Sequence, residues 1–477
     1  MKRDVILWIL ADELRADALS CYGAPHPRIR TPNIDALADR GVLFEEAYTA
    51  SPVCVPARVS MATGLRPDQS GVWGNEAYTN GYPLLDGLVT FTEHLAQSGW
   101  QTCSFGKEHV PPALQPWQLD DHHGADMREI RAGAEQRTVV STPGTGTVVA
   151  GTWPDDRPYP SDAITASVVE AIRSAERPLL VRASYLQPHT PVVVPEPWAS
   201  RYADIPFESR PGLEPVDTVF ERRFAEISRG REMTAEGFRK ALVAYHGAVA
   251  WLDEQVGVLM RALDETPGLG RVMVIFTSDH GAHLGEDGSY GKHTFAPASH
   301  RIPLIIAGDD VCHPGSRRVD LASNADVART ALAAARVPVP DSIGGRDLLH
   351  DDPPTEHISG IGYGAAASRA FPNHGTGTIS DGTGWPQRIC VRTDRYRLDM
   401  TTRVDGRTAL PHERDIFLAD RIKDPAERMN VSGRAEYEAV ERELVARAAT
   451  TAAQAMRPPD GEIYSRFAPP APLPRVR

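Results

Sequence analysis

Apolar and polar positions follow one another along this chain in blocks whose period changes. Residues 5–10, Val-Ile-Leu-Trp-Ile-Leu, form a continuous apolar run, the pattern of a strand covered on both faces of a parallel sheet. Shorter apolar runs at 100–105, 179–185, 272–277 and 304–307 predict further strands. Between them, helical periodicity predicts helices over 33–40, 92–97, 161–177, 235–263 and 325–335. The first of these is opened by Thr31-Pro32 and stopped by Gly41. Strands alternating with helices define an α/β class: a mixed, mostly parallel central sheet with helices on both faces.

Two stretches interrupt the rhythm. Residues 110–160 and 351–388 are rich in Pro, Gly, Asp and Thr and read as long loops, which in a compact domain are usually functional or partly disordered. Tyr363, His374 and Trp385 in the second loop are candidates to line a pocket, with surface exposure the equal alternative. Past residue 388 the pattern shifts to a strand at 389–398 and a charged helix at 435–452. The chain is therefore divided into an α/β domain, 1–387, and a smaller C-terminal α+β subdomain with a short antiparallel sheet, 388–477. Its Pro-rich tail, 467–477, reads as extended and suited to wrapping a second subunit in a homo-oligomer.

Composition narrows the partners. At 477 residues, 41% hydrophobic and 24% charged, the chain has an ordinary globular profile. A net charge of −12 with no basic stripe argues against nucleic acid, while a few buried cations would still capture a small anion. Cys21, Cys54, Cys103, Cys312 and Cys390 are odd in number and widely spaced, with no CxxC pair. That fits neither a disulfide framework nor a structural zinc site, and points to a reducing, cytoplasmic compartment. Lys2-Arg3 before the first apolar run resembles the start of a signal peptide, but the run is short and ends in Asp12-Glu13 without a small-residue cleavage site. No stretch is long enough to span a bilayer.

Three apolar runs end in polar clusters: Asp12-Glu13, Gln187-Pro188-His189-Thr190-Pro191, and Ser278-Asp279-His280-Gly281. Ligands bind at the carboxyl ends of strands in parallel α/β sheets, so these clusters are candidates to converge. Asp12, Asp279 and Glu13 offer hard oxygen ligands for Ca²⁺, Mg²⁺ or Mn²⁺; the same acids also suit helix N-caps. Cys54 lies in Ser51-Pro52-Val53-Cys54-Val55-Pro56-Ala57-Arg58, ahead of Thr63-Gly64. Pro56 and Gly64 are a favoured start and stop, which sets Cys54 at a helix N-terminus where N–H groups and the dipole favour anions. A lone cysteine is more often a small core residue.

The run Cys54-Val55-Pro56-Ala57-Arg58 resembles the Cys-x-Pro-x-Arg signature of sulfatases, in which a dedicated maturation enzyme oxidises the cysteine to Cα-formylglycine. Further segments are similar to that family's in the same order. They are Asp12 with Arg15, Asp17 and Thr31-Pro32-Asn33-Ile34-Asp35; Gly106-Lys107-Glu108-His109; Pro188-His189-Thr190-Pro191 with Pro195 and Tyr202; Thr277-Ser278-Asp279-His280-Gly281; Gly291-Lys292 before Arg301-Ile302-Pro303; and, near the end, 392–398 with Asp424-Pro425-Ala426-Glu427 and Asn430. The resemblance implies an alkaline phosphatase-like enzyme that hydrolyses small sulfate esters. It places the metal on Asp12, Glu13, Cys54, Asp279 and His280, with calcium first among the hard divalent ions. Hydrated formylglycine at 54 would attack sulfur with one hydroxyl, and loss of the second proton would expel sulfate; a serine would lack that exit. Arg58 would orient the hydrate, Lys107 and Lys292 would neutralise the anion, His109 would accept the second proton, and His189 with Lys292 would protonate the departing oxygen. Asn75, in Gly74-Asn75-Glu76, is a candidate sulfate or metal contact, or a turn residue.

Three positions depart from the pattern: Glu13 replaces the usual second Asp, His280 stands where many sulfatases have Asn, and Ala57 where Ser is usual. The Asp-His pair also occurs in relatives similar to phosphonate monoester hydrolases and choline sulfatases, so a phosphonate monoester or phosphodiester is the alternative substrate. A non-catalytic binding protein is a third reading, but it predicts the loss of a nucleophile and cations that are all present here.

Overall fold

The computed structural model describes residues 2–75, 78, 84–85, 87–114, 117–140, 147–207, 218–228, 230–362, 386–404 and 406–456. The central sheet has eight strands: β1 (Arg3–Asp12), β2 (Gly41–Tyr48), β3 (Gln101–Gly106), β4 (Leu119–Asp121), β5 (Leu179–Pro188), β6 (Leu269–Ser278), β7 (Leu304–Gly308) and β8 (Ser316–Ser323). Their order is β8-β2-β7-β6-β1-β5-β3-β4. Strand β7 runs antiparallel to β2 and β6, and the other seven share one direction. The sheet is thus mixed and mostly parallel, as the alternation predicts.

The first strand shows why its sequence lacks alternation. Val5, Leu7 and Ile9 point to the face covered by the helices Asp162–Ser174 and Ala235–Glu265. Ile6, Trp8 and Leu10 point to the face covered by Phe91–Gln97 and Val327–Ala334. Each such fully buried side chain contributes roughly 1.5–3 kcal/mol relative to exposure, so both registers demand apolar residues. The long helix begins at Thr234, whose hydroxyl accepts the Gly237 N–H at 3.0 Å.

A second, antiparallel sheet contains β9 (His357–Ile361), β10 (Gln387–Arg392), β11 (Tyr396–Val404), β12 (Arg407–Thr408) and β13 (Phe417–Asp420), with β13 on β11. The helix Glu438–Gln454 lays Leu444 and Ala448 against Ile389, Val391, Leu398 and Met400. Where the sequence predicts one strand at 389–398, the structure has two, because Thr393 Oγ1 accepts the N–H groups of Arg395 and Tyr396 and closes a turn. The expected loop over 110–160 also holds regular structure: β4, the helix Met127–Gly133 capped by Asp126, and the strands Glu135–Val140 and Thr147–Trp153. The last of these pairs with Val192–Pro195. These elements are seven residues or fewer, so periodicity does not reveal them. Tyr363, His374, Trp385 and the 467–477 tail lie outside the described residues. Among the described residues no helix is long and apolar enough to cross a membrane.

Buried charges join the two sheets. Arg392 is fully buried, pairs with Glu427 and reaches Tyr48 of β2, while Arg421 donates to the Tyr48 hydroxyl at 2.7 Å. Burial alone would raise the Glu427 carboxyl, but Arg392 holds it at about 2, against an ordinary 4.5. A depressed folded-state value means stability that is complete above 4.5 and lost as pH falls toward 2. Glu427→Gln is therefore expected to cost about 1.5–3 kcal/mol at neutral pH, with the difference from the parent vanishing on acidification. Urea denaturation across pH 7 to 2 measures this, and a pH-independent difference would contradict it.

Candidate active site

Four strands of the sheet, β6-β1-β5-β3, are neighbours, and their carboxyl ends deliver most of the polar residues singled out in the sequence. Asp279 and His280 follow β6, Asp12 and Glu13 end or follow β1, His189 follows β5, and Lys107 and His109 follow β3. Cys54 comes from above the sheet as the first residue of the helix Cys54–Thr63, which Gly64 closes in the left-handed conformation (φ 72°). Lys292 arrives from the hairpin of His283–Leu284 and Tyr290–Gly291. At the turn after β3, Gly106 has φ 99°, and a Cβ there would collide with the Ser184 carbonyl, so only glycine lets the backbone swing Lys107 inward. Glu13 (φ 62°) and His109 (φ 52°) take left-handed conformations that non-glycine residues seldom adopt and that concentrate at functional sites.

Cys54 is the hub. Lys292 Nζ is 2.9 Å from its Sγ, His280 Nε2 3.2 Å and Lys107 Nζ 3.9 Å, and His109 hydrogen bonds to the same thiol. Burial alone would push the thiol up, but Lys107, Lys292 and His280 hold it well below its ordinary value. Burial lowers His109 to about 4, so it is a neutral imidazole at neutral pH. Beneath the thiol, Arg58 is fully buried. Its Nε donates to Asp279 Oδ2 at 2.9 Å, Nη2 to Asp12 Oδ2 at 3.3 Å, and Nη1 to the Lys107 carbonyl at 2.8 Å and Ser184 Oγ at 3.0 Å. One guanidinium thus clamps three strand ends and keeps two carboxylates from repelling each other.

The donors also fit a cation. Single ligand atoms of Asp12, Cys54, Asp279 and His280 all lie within 4.8 Å of one another; Glu13 falls in a separate grouping with Asp12 and His189. Asp12 Oδ1 is buried without a hydrogen-bond partner, while Oδ2 is engaged by Lys107 and Arg58. A buried carboxylate oxygen left bare is costly, and a cation would satisfy it. The His280 Nδ1–H donates to the Gly281 carbonyl at 2.9 Å, which leaves the Nε2 lone pair aimed at the same space. Burial alone would lower His280, but Asp279 lifts it to about 9, so the acids draw a proton to the place a cation would take.

Asn75 sits at the start of the Cys54 helix, where its Oδ1 accepts the Val55 N–H at 2.9 Å. Asn324 is a positioning residue with no sequence signal beyond a helix-start pattern. Its side chain accepts from Ala50 N (2.9 Å) and donates to Thr49 Oγ1 (3.0 Å) and the Asp279 carbonyl (3.1 Å), tying the segment before Cys54 to the end of β6.

The sulfatase family model matches residues 4–337, and the chain belongs to the sulfatase family, a class of sulfuric-ester hydrolases. It is 25% identical over 408 residues to an arylsulfatase of Clostridium perfringens, covering 74% of this chain and 79% of the relative. It is 27% identical over 331 residues to mouse iduronate 2-sulfatase, covering 63% of this chain and 58% of that relative's length. Its fold matches the crystal structure of the phosphonate monoester hydrolase of Agrobacterium radiobacter with a TM-score of 0.71 at 22% identity, over 95% of this chain and 96% of the other.

Proposed function

We propose that this chain hydrolyses small alkyl, aryl or sugar sulfate monoesters to inorganic sulfate and an alcohol, using formylglycine formed from Cys54 by a maturation enzyme. The observation that carries this reading is the position of Cys54: at a helix N-terminus, within hydrogen-bonding reach of Lys292 and His280, and facing Asp12 and Asp279. Asp12, Asp279, His280 and residue 54 would hold a divalent cation, calcium before magnesium or manganese, which supplies Lewis-acid charge for the sulfate oxygens. Formylglycine supplies, as its hydrate, a nucleophilic hydroxyl and a second hydroxyl for sulfate release.

The chain's own residues do the rest. Lys107 and Lys292 bring two ammonium groups to the Cys54 side chain, where they neutralise the ester's anionic oxygens in a buried setting. Neutral His109 accepts a proton at residue 54. His189 Nε2, 3.0 Å from Lys292 Nζ, stands with it as the proton donor to the departing oxygen. All five cysteines are unpaired, which supports a reducing, cytoplasmic location.

A phosphonate monoester or phosphodiester is the second reading. It is favoured by the Asp279-His280 pair and by the fold shared with a phosphonate monoester hydrolase. Purified protein, made together with the maturation enzyme, should turn over an aryl sulfate faster than an aryl phosphonate in parallel assays. The reverse preference would establish the second reading. Mass spectrometry of the peptide spanning residue 54 should show the aldehyde, and fully active protein with only cysteine there would refute the mechanism.

A further inference from the structure

Glu13 stands where a second aspartate is usual, and its hydrogen-bond partners differ from those of Asp12. Its N–H donates to Asp279 Oδ1 at 3.2 Å and its carbonyl accepts the Tyr245 hydroxyl at 2.8 Å, so the backbone is pinned in its left-handed conformation. The side chain groups with Asp12 and His189, within 4.8 Å of each, and not with Cys54, Asp279 and His280. Oε1 accepts Lys292 Nζ at 2.6 Å and lies 3.4 Å from His189 Nε2, while Oε2 accepts the Thr190 N–H at 3.3 Å. Both oxygens are therefore engaged on the His189–Lys292 side, whereas Asp12 keeps Oδ1 bare for a cation.

We propose that Glu13 is a positioning residue for the Lys292–His189 proton-donor pair and not a ligand of the cation. The extra methylene of glutamate gives the reach. An aspartate would have one methylene less with which to reach Lys292. Two long side chains, Lys292 and His189, need a fixed anionic partner to keep their N–H groups on the departing oxygen, because a small misplacement of a proton donor is expensive in rate. With Glu13 neutralised by Lys292, the cation site keeps two carboxylates and one imidazole. The inference rests on the sulfate-ester reading above.

The test combines cation binding with a leaving-group series. Protein stripped of divalent ions is titrated with calcium, and turnover is followed for an aryl sulfate with an acidic phenol and for an alkyl sulfate. Glu13→Gln should bind calcium within about tenfold of the parent, whereas Asp12→Asn should weaken it by more than about a hundredfold. The Glu13→Gln loss in kcat should be on the order of 10²-fold for the alkyl sulfate and several-fold for the aryl sulfate, because only a poor leaving group needs the proton. Glu13→Asp, which keeps the charge and shortens the reach, should show the same leaving-group dependence with unimpaired calcium binding. Thermal unfolding confirms that each variant is folded. Calcium binding lost in Glu13→Gln as in Asp12→Asn would overturn the proposal, and so would equal losses on the two esters. A parent inactive on all sulfate esters would instead defeat the sulfate reading, while the calcium titration still decides whether Glu13 is a ligand.

Discussion

Cys54→Ala is expected to lower turnover of a sulfate ester by on the order of 10⁴-fold or more, as removal of a covalent nucleophile does elsewhere. Alanine fits the space, since Cys54 is 1% exposed and Ala57 and Val55 beside it are equally buried. Lys107, Lys292, His189 and His280 stay in place, so ester binding should persist while kcat collapses. Cys54→Ser sharpens the test. A serine hydroxyl can take the sulfuryl group, with the alcohol leaving on a proton from His189 or Lys292, but its carbon bears no second hydroxyl to regenerate a carbonyl. The expected result is a single turnover followed by stalling, with one SO₃ unit added at residue 54 in the intact mass. Steady turnover by Cys54→Ser would show that release does not depend on formylglycine.

Arg58→Leu is expected to destabilise the fold by roughly 3–5 kcal/mol, the cost of removing one partner from a buried ion cluster. The substitution leaves Asp12 and Asp279 facing each other without their shared guanidinium, and leaves the Lys107 carbonyl with only the Ser184 hydroxyl as donor. Repulsion between the two acids should be relieved by a divalent cation. Saturating calcium should therefore restore more stability to Arg58→Leu than it adds to the parent. Denaturation midpoints with calcium and with chelator measure both effects. Equal calcium increments in the two proteins would mean that Arg58 and the cation do not share the same carboxylates.

The strands that build the centre of the sheet were readable because burial on both faces leaves an unbroken apolar run, as in residues 5–10. Strand β2 was not, because Glu45 and Glu46 interrupt it where it leaves the core, nor was edge strand β8, which begins Ser-Arg-Arg-Val-Asp. The direction of β7 depends on the path of the chain through the Lys292 hairpin, which no local pattern encodes. In the site, motif residues such as Arg58 and Lys107 stood out because their spacing is distinctive. Asn324 did not, since its work is done through backbone atoms of Thr49's neighbour and Asp279 that sequence separation hides.

The buried cluster of Arg392, Arg421, Glu427 and Tyr48 joins an early segment of the chain to a late one. Tyr48 of β2 finds its arginines and glutamate only in segments made near the end of synthesis. At about 5–20 residues per second, translation leaves tens of seconds between the emergence of Tyr48 and that of Glu427. Tyr48 therefore stays without these partners until the chain is nearly complete, so the contact between the two sheets closes last.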